Sequence, residues 1–91
     1  MIQQATFPLG RIVATRNVLN VVSQADIERA MARHSRKDWG NLEGMDKRAN
    51  DEALETDQRI LSAYKAENGV VFWIVTEWDR SATTILLPSD Y

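Results

Sequence analysis

Apolar positions along this chain follow two different rhythms. Between residues 24 and 35 they recur at Ile27, Ala30, Met31 and His34, spaced i, i+3, i+4, i+7, which predicts a helix with one buried stripe. Ser23 stands immediately before it with Asp26 three residues on, a carboxylate variant of the capping box at the positive end of the helix. Upstream, Gly10-Arg11-Ile12-Val13-Ala14-Thr15 reads as a short strand after Pro8. Thr15 then caps a helical turn through Val22, with Val18, Leu19 and Val22 on one side. The long helix stops before Asp38-Trp39-Gly40, where Gly40 and Gly44 break the pattern. A second long helix is predicted from about Glu43 to Thr56. Its stripe is thin (Met45, Ala49, Ala53, Leu54), so it lies outside and touches the core lightly.

The C-terminal third changes to strand rhythm. Residues 59–65, 70–76 and 83–87 are rich in β-branched and aromatic side chains. Asn68-Gly69 between the first two predicts a two-residue type I′ hairpin turn, and Asp79-Arg80-Ser81 closes a second hairpin. The expectation is α+β: a three- to four-stranded antiparallel sheet, the C-terminal meander extended by residues 10–15, with two to three helices packed mainly on one face. A two-residue turn pairs Tyr64 with Trp73 and Ala63 with Ile74, while the second hairpin pairs Trp73 with Leu86 and Thr76 with Thr83. One face then holds Leu61, Ala63, Phe72, Ile74, Ile85 and Leu87, and the other Ile60, Tyr64, Trp73, Val75 and Leu86. Both are apolar, whereas a sheet with one solvated face alternates apolar and polar. The surface formed by Ile60, Tyr64, Trp73, Val75 and Leu86 is therefore expected to be left in part for another chain, most simply a second copy in a homodimer. In the competing reading, the two long helices cover one face each.

Size restricts these possibilities. At 91 residues there is room for a single domain, residues 1–91, which buries roughly 60–65% of its unfolded surface. Eleven Lys and Arg against 13 Asp and Glu give a net charge of −2, which argues against a general nucleic-acid coat. With no Cys and one His, disulfides, thiolate sites and multi-histidine zinc sites are out, and neither a metal nor a cofactor is expected. The start lacks a signal-peptide pattern, and the longest apolar run is too short to span a membrane, so a cytoplasmic protein is expected.

Candidate chemistry gathers at the second hairpin turn. Arg80 could grip a phosphate or carboxylate bidentately, with the hydroxyls of Ser81, Thr83 and Thr84 nearby, Trp78 as a stacking surface, and Thr76 and Asp79 in the same polar crowd around the turn. Alternatively, Asp79 and Ser81 brace the turn, and Thr76 and Thr83 form an ordinary cross-strand pair. His34 is a possible acid or base, or a helix-end residue favoured by the dipole. Arg33, Arg36 and Lys37, with Arg29 one turn earlier, form a candidate anion patch. Asp38 and Trp39 read as a loop anchor. The acidic run from Asp46 to Asp57 lacks the calcium-loop spacing, and no catalytic motif is matched.

Across nearly its whole length the chain resembles a family of small uncharacterised bacterial proteins labelled plasmid-related, some of them labelled restriction–modification subunits. The resemblance is carried by Gly10-Arg11-Ile12-Val13-Ala14-Thr15, Arg33-His34, Asp38-Trp39-Gly40, Asp46-Lys47 with Asn50, and Arg59-Ile60-Leu61-Ser62-Ala63-Tyr64. It continues through Thr76-Glu77, Asp79-Arg80-Ser81-Ala82-Thr83-Thr84, Leu87-Pro88 and Tyr91. Lys37 and Trp78 depart from it, standing where smaller residues are common. The family supplies no catalytic residues, and this chain is too small for a methyltransferase fold. The expected function is a non-catalytic protein-binding or accessory role linked to mobile elements or defence. The alternatives are a small toxin-type ribonuclease using Arg80, His34, Tyr64 and Thr83, or an anion-binding sensor module.

Overall fold

A computed structural model describes residues 7–40 and 44–91. Glu43, where the sequence pattern starts the second long helix, and the side chains of Met45, Asp46 and Lys47 lie outside the described residues. Chain order is β1 (Arg11–Ala14), α1 (Arg16–Val21), α2 (Gln24–Ser35), α3 (Gly44–Thr56), β2 (Ile60–Lys65), β3 (Val71–Thr76), β4 (Ala82–Leu86) and a terminal 3-10 turn (Pro88–Asp90).

Local chemistry explains the helix ends. Thr15 accepts from the Val18 N–H at 3.2 Å, and Ser23 accepts from the Asp26 N–H at 3.1 Å, each relieving one of the donors that a helix start leaves over. Helix α2 closes with the Asp38 N–H on the Arg33 carbonyl and the Lys37 N–H on that of His34. This is a Schellman ending, and it forces Lys37 to φ 67° in the position glycine normally takes.

The sheet order is β1-β4-β3-β2. Strands β2, β3 and β4 form the expected antiparallel meander, but β1 lies parallel to β4, so the sheet is mixed rather than antiparallel throughout. The helices explain the direction: only a strand running with β4 delivers α1 to the end of the sheet where Val18 and Val22 pack with Ala66, Phe72 and Ile85.

The first hairpin also differs from expectation. Its loop has three residues, with the Gly69 N–H on the Ala66 carbonyl and the Ala66 N–H on that of Val70. Gly69 alone takes positive φ, at 90°, so the turn is of the bulged kind rather than type I′. One extra loop residue slips the register by one: Tyr64 pairs with Phe72, Ala63 with Trp73 and Leu61 with Val75. Because side chains alternate, every β2 residue changes face relative to the sequence reading. Ile60 and Tyr64 therefore leave the supposed interface and join Phe72, Ile74 and Ile85 on the helix-covered side, with Ser62, Thr76 and Thr83 between them. The second hairpin keeps its expected register.

That covered face carries two apolar clusters. Val18, Val22, Ile27, Ala30, Tyr64, Phe72, Ile74 and Ile85 sit beneath α1 and α2. Phe7, Trp39, Ala53 and Ile60 join α3 to the sheet. Each fully buried side chain of this size, such as Phe72, Ile60 and Ile74, contributes about 1.5–3 kcal/mol. The helices thus pack on one face. On the other, Val75 and Leu86 are buried as well, and Trp73 is half-buried with the Tyr91 ring edge-on at 5.8 Å. The guanidinium of Arg59 lies 5.0 Å over that Tyr91 ring.

Candidate functional site

Between the two apolar clusters runs a chain of buried polar groups centred on His34. Its Nδ1 lies 2.5 Å from Ser62 Oγ and its Nε2 2.9 Å from Thr76 Oγ1. Thr76 Oγ1 is 2.7 Å from Thr83 Oγ1, which donates to the Leu9 carbonyl at 2.6 Å. That last bond sets the direction of all the others. Thr83 has given its proton to Leu9, so it accepts from Thr76. Thr76 must then accept from His34, which puts the imidazole proton on Nε2 and leaves Nδ1 to accept from Ser62. Every member is satisfied, and His34, Ser62, Thr76 and Thr83 are all fully buried. Phe7 and Trp39 stand edge-on to the imidazole at 5.5 and 5.6 Å. Burial among these rings pushes the His34 pKa down to about 4, so the ring is neutral at physiological pH.

The turn formed by residues 79–84 does not act as one constellation. Alternation sends Thr83 to the helix-covered face and Thr84 to the opposite one, while Asp79 and Ser81 stay in the loop. Asp79 accepts the Ser81 N–H at 3.1 Å, which braces the turn. Arg80, at φ 60°, folds its guanidinium back over the protein. Nη1 donates to the carbonyls of Gln58 (2.7 Å), Glu77 (3.0 Å) and Trp78 (3.2 Å), and Nη2 to that of Ala53 (2.9 Å). The side chain expected to grip an anion instead clamps the C-terminal end of α3 to the hairpin.

Asp38 and Trp39 anchor their loop. The Tyr64 hydroxyl donates to the Asp38 carbonyl at 2.7 Å, and the Trp39 indole N–H reaches Asp51 at 3.3 Å. Burial pushes the Tyr64 hydroxyl up to about 12. Gly40 bridges to Ala63 at φ 75°, with the Ala63 carbonyl and the Tyr64 ring where any Cβ would go. Arg33 Nε and Nη2 reach Asp38 at 2.8 and 3.2 Å and hold its carboxyl below the usual range.

Thus His34, Trp39, Thr76 and Thr83 converge, but inside the protein. Asp38 borders them, and Asp79, Arg80, Ser81 and Thr84 stand apart. Of the five expected interface residues Ile60, Tyr64, Val75 and Leu86 are buried, and only Trp73 keeps part of its surface. Sequence reasoning missed Ser62 and the two-sided role of Asn50. A polar residue facing the same way as Thr76 would have revealed Ser62, had the hairpin loop been read one residue longer. A small cleft of about 120 Å³, lined by Asp26, Arg29, Arg33, Tyr64, Lys65 and Phe72, opens between α2 and the β2–β3 pair. The Arg33 guanidinium there stacks 5.0 Å over the Tyr64 ring. Among the described residues no group of three or more His, Asp or Glu is arranged to hold a metal ion, and no helix is long and apolar enough to cross a membrane. Comparison with protein-family models, with curated proteins and with solved structures found no match.

Proposed function

We propose that this chain is a non-catalytic protein-binding accessory protein, of the mobile-element or defence kind that the family resemblance suggests. One observation carries the reading. Of the groups that proton transfer or phosphate chemistry would need, His34, Thr76 and Thr83 are buried and saturated by partners of the same chain, and Arg80 is folded back onto four of its carbonyls. A general base has to come within hydrogen-bond reach of the proton it takes, and a fully buried imidazole between Phe7 and Trp39 offers a substrate no approach. Large apolar side chains meanwhile stand in solvent, Trp78 at 62% exposure and Tyr91 at 60%.

Two measurements test this. Purified protein incubated with RNA should give only background cleavage, unchanged in Arg80→Ala, whereas cleavage that falls with Arg80→Ala overturns the reading. Affinity capture at physiological salt should return a stoichiometric protein partner whose purified form binds directly. A second reading, capture of a small anion at the cleft, rests on Lys65, since Arg29 and Arg33 there are already paired with Asp26 and Asp38. Under that reading, a thermal-shift screen with inorganic phosphate should raise the melting temperature, and Lys65→Ala should abolish the rise.

A further inference from the structure

We propose that the free edge of β1 docks an extended, acidic segment of a partner protein, added to the sheet as one more strand. The proposal rests on the protein-binding reading above and names its surface. The two edges of the sheet are built differently. At β2 the Asn50 carboxamide takes both main-chain groups of Leu61, at 3.0 and 2.5 Å, while the Trp39 carbonyl accepts the Ala63 N–H at 3.2 Å. That edge is closed.

At β1 the Arg11 N–H bonds to the Ser81 carbonyl and the Thr15 N–H to that of Ile85, both at 3.0 Å. In a parallel ladder alternate residues face the neighbouring strand, so Arg11, Val13 and Thr15 bond toward β4. Ile12 and Ala14 therefore point their N–H and C=O groups outward, and among the described residues nothing hydrogen-bonds to them. A row of such groups is matched by another strand. The side chains agree. Ile12 is 49% exposed on one face and Val13 39% on the other, so an added strand finds apolar neighbours on both sides. Leu19 and Val21 of α1, the helix that follows β1, are exposed as well.

Charge chooses the occupant. Arg11 opens β1 and Arg16 follows it at the start of α1, both exposed, and among the described residues neither makes an ion pair. The carboxylates of the bordering segments keep their charge but turn to other donors, Asp79 to Ser81 and Asp90 to Thr15, Asn17 and Leu87, so neither pairs with Arg11 or Arg16. In a second copy paired antiparallel about Val13, Arg11 would face Thr15 and Arg16 would face Gly10, so neither arginine would be met by a carboxylate at its paired position. An extended segment with Asp or Glu at its ends pairs with both arginines instead.

The test titrates a synthetic peptide of alternating Val and Thr flanked by Glu, and its Lys-flanked twin, into the isotope-labelled full chain. The Glu-flanked peptide should shift the Ile12 and Ala14 amides and slow their hydrogen exchange. The twin should bind at least about tenfold more weakly, and added salt should narrow the gap. Ile12→Pro removes an outward N–H without touching the β1–β4 ladder, and should abolish the shifts while the remaining spectrum stays in place. The double variant Arg11→Glu, Arg16→Glu keeps every backbone group and should reverse the peptide preference. Equal binding of the twins, shifts confined to other residues, or a concentration-dependent dimer that Ile12→Pro dissolves would each overturn the proposal. A purified protein partner that binds normally to Ile12→Pro removes the β1 edge alone, whereas Arg80-dependent RNA cleavage removes the protein-binding reading with it.

Discussion

His34 shows how one side chain can tie the fold to pH. In the unfolded chain its imidazole titrates near 6.5, and in the folded protein burial holds it at about 4. Between those values the unfolded chain binds a proton that the native state refuses, so stability falls as pH falls. The full difference amounts to about 3 kcal/mol, present at neutral pH and lost by about pH 4. The carboxyls of Asp38, Asp79 and Asp90, held low by Arg33, Ser81 and Asn17, are stabilising above the usual carboxylate range and lose that effect only on further acidification. Urea titrations at several pH values should show this slope between neutral pH and pH 5, and His34→Leu should flatten it. A slope unchanged in His34→Leu would mean that another group carries it. The sequence placed His34 on a buried stripe but could not disclose its tautomer. That depends on a proton handed along to the Leu9 carbonyl, some 74 residues from Thr83 in the chain.

At the scale of elements, the ends and edges matter more than the interiors. Helix α2 closes with Lys37 in a left-handed conformation that disfavours any side chain. Lys37→Gly should therefore stabilise the protein, by about 1 kcal/mol, visible as a rise in melting temperature. On α3, Asn50→Ala would leave the Leu61 N–H and carbonyl without their carboxamide partner at a half-buried strand edge. A loss of about 1–3 kcal/mol is expected, with faster hydrogen exchange at Leu61. Helices and strands were legible because hydrophobic rhythm and the Thr15 and Ser23 caps are local signals. The β2 register was not, because Asn68-Gly69 suits both a two-residue turn and the last two positions of a three-residue loop. The direction of β1 was hidden for a different reason. Its partner β4 lies at the far end of the chain, and only the packing of α1 distinguishes the two orientations.

Taken whole, the molecule covers one sheet face with helices and lays its C-terminal Tyr91 against Trp73 on the other. The Cα radius of gyration is 12.3 Å, close to the ~12 Å expected of a compact chain of this length. The surplus apolar face read from the sequence is reduced by Tyr91 against Trp73 and by Arg59 against Tyr91. Deleting Tyr91 should thus lower stability by about 0.5–1.5 kcal/mol and raise the quenching of tryptophan fluorescence in a Trp78→Phe background, where Trp73 is the accessible indole beside the buried Trp39. Unchanged quenching would show that the terminal ring is no cover. The Asn50 carboxamide has one more consequence at this scale. Because it obstructs the β2 border, a strand received at β1 finds no second berth across the sheet. Edge-to-edge stacking of copies from β1 onto β2 would therefore stop at its first step.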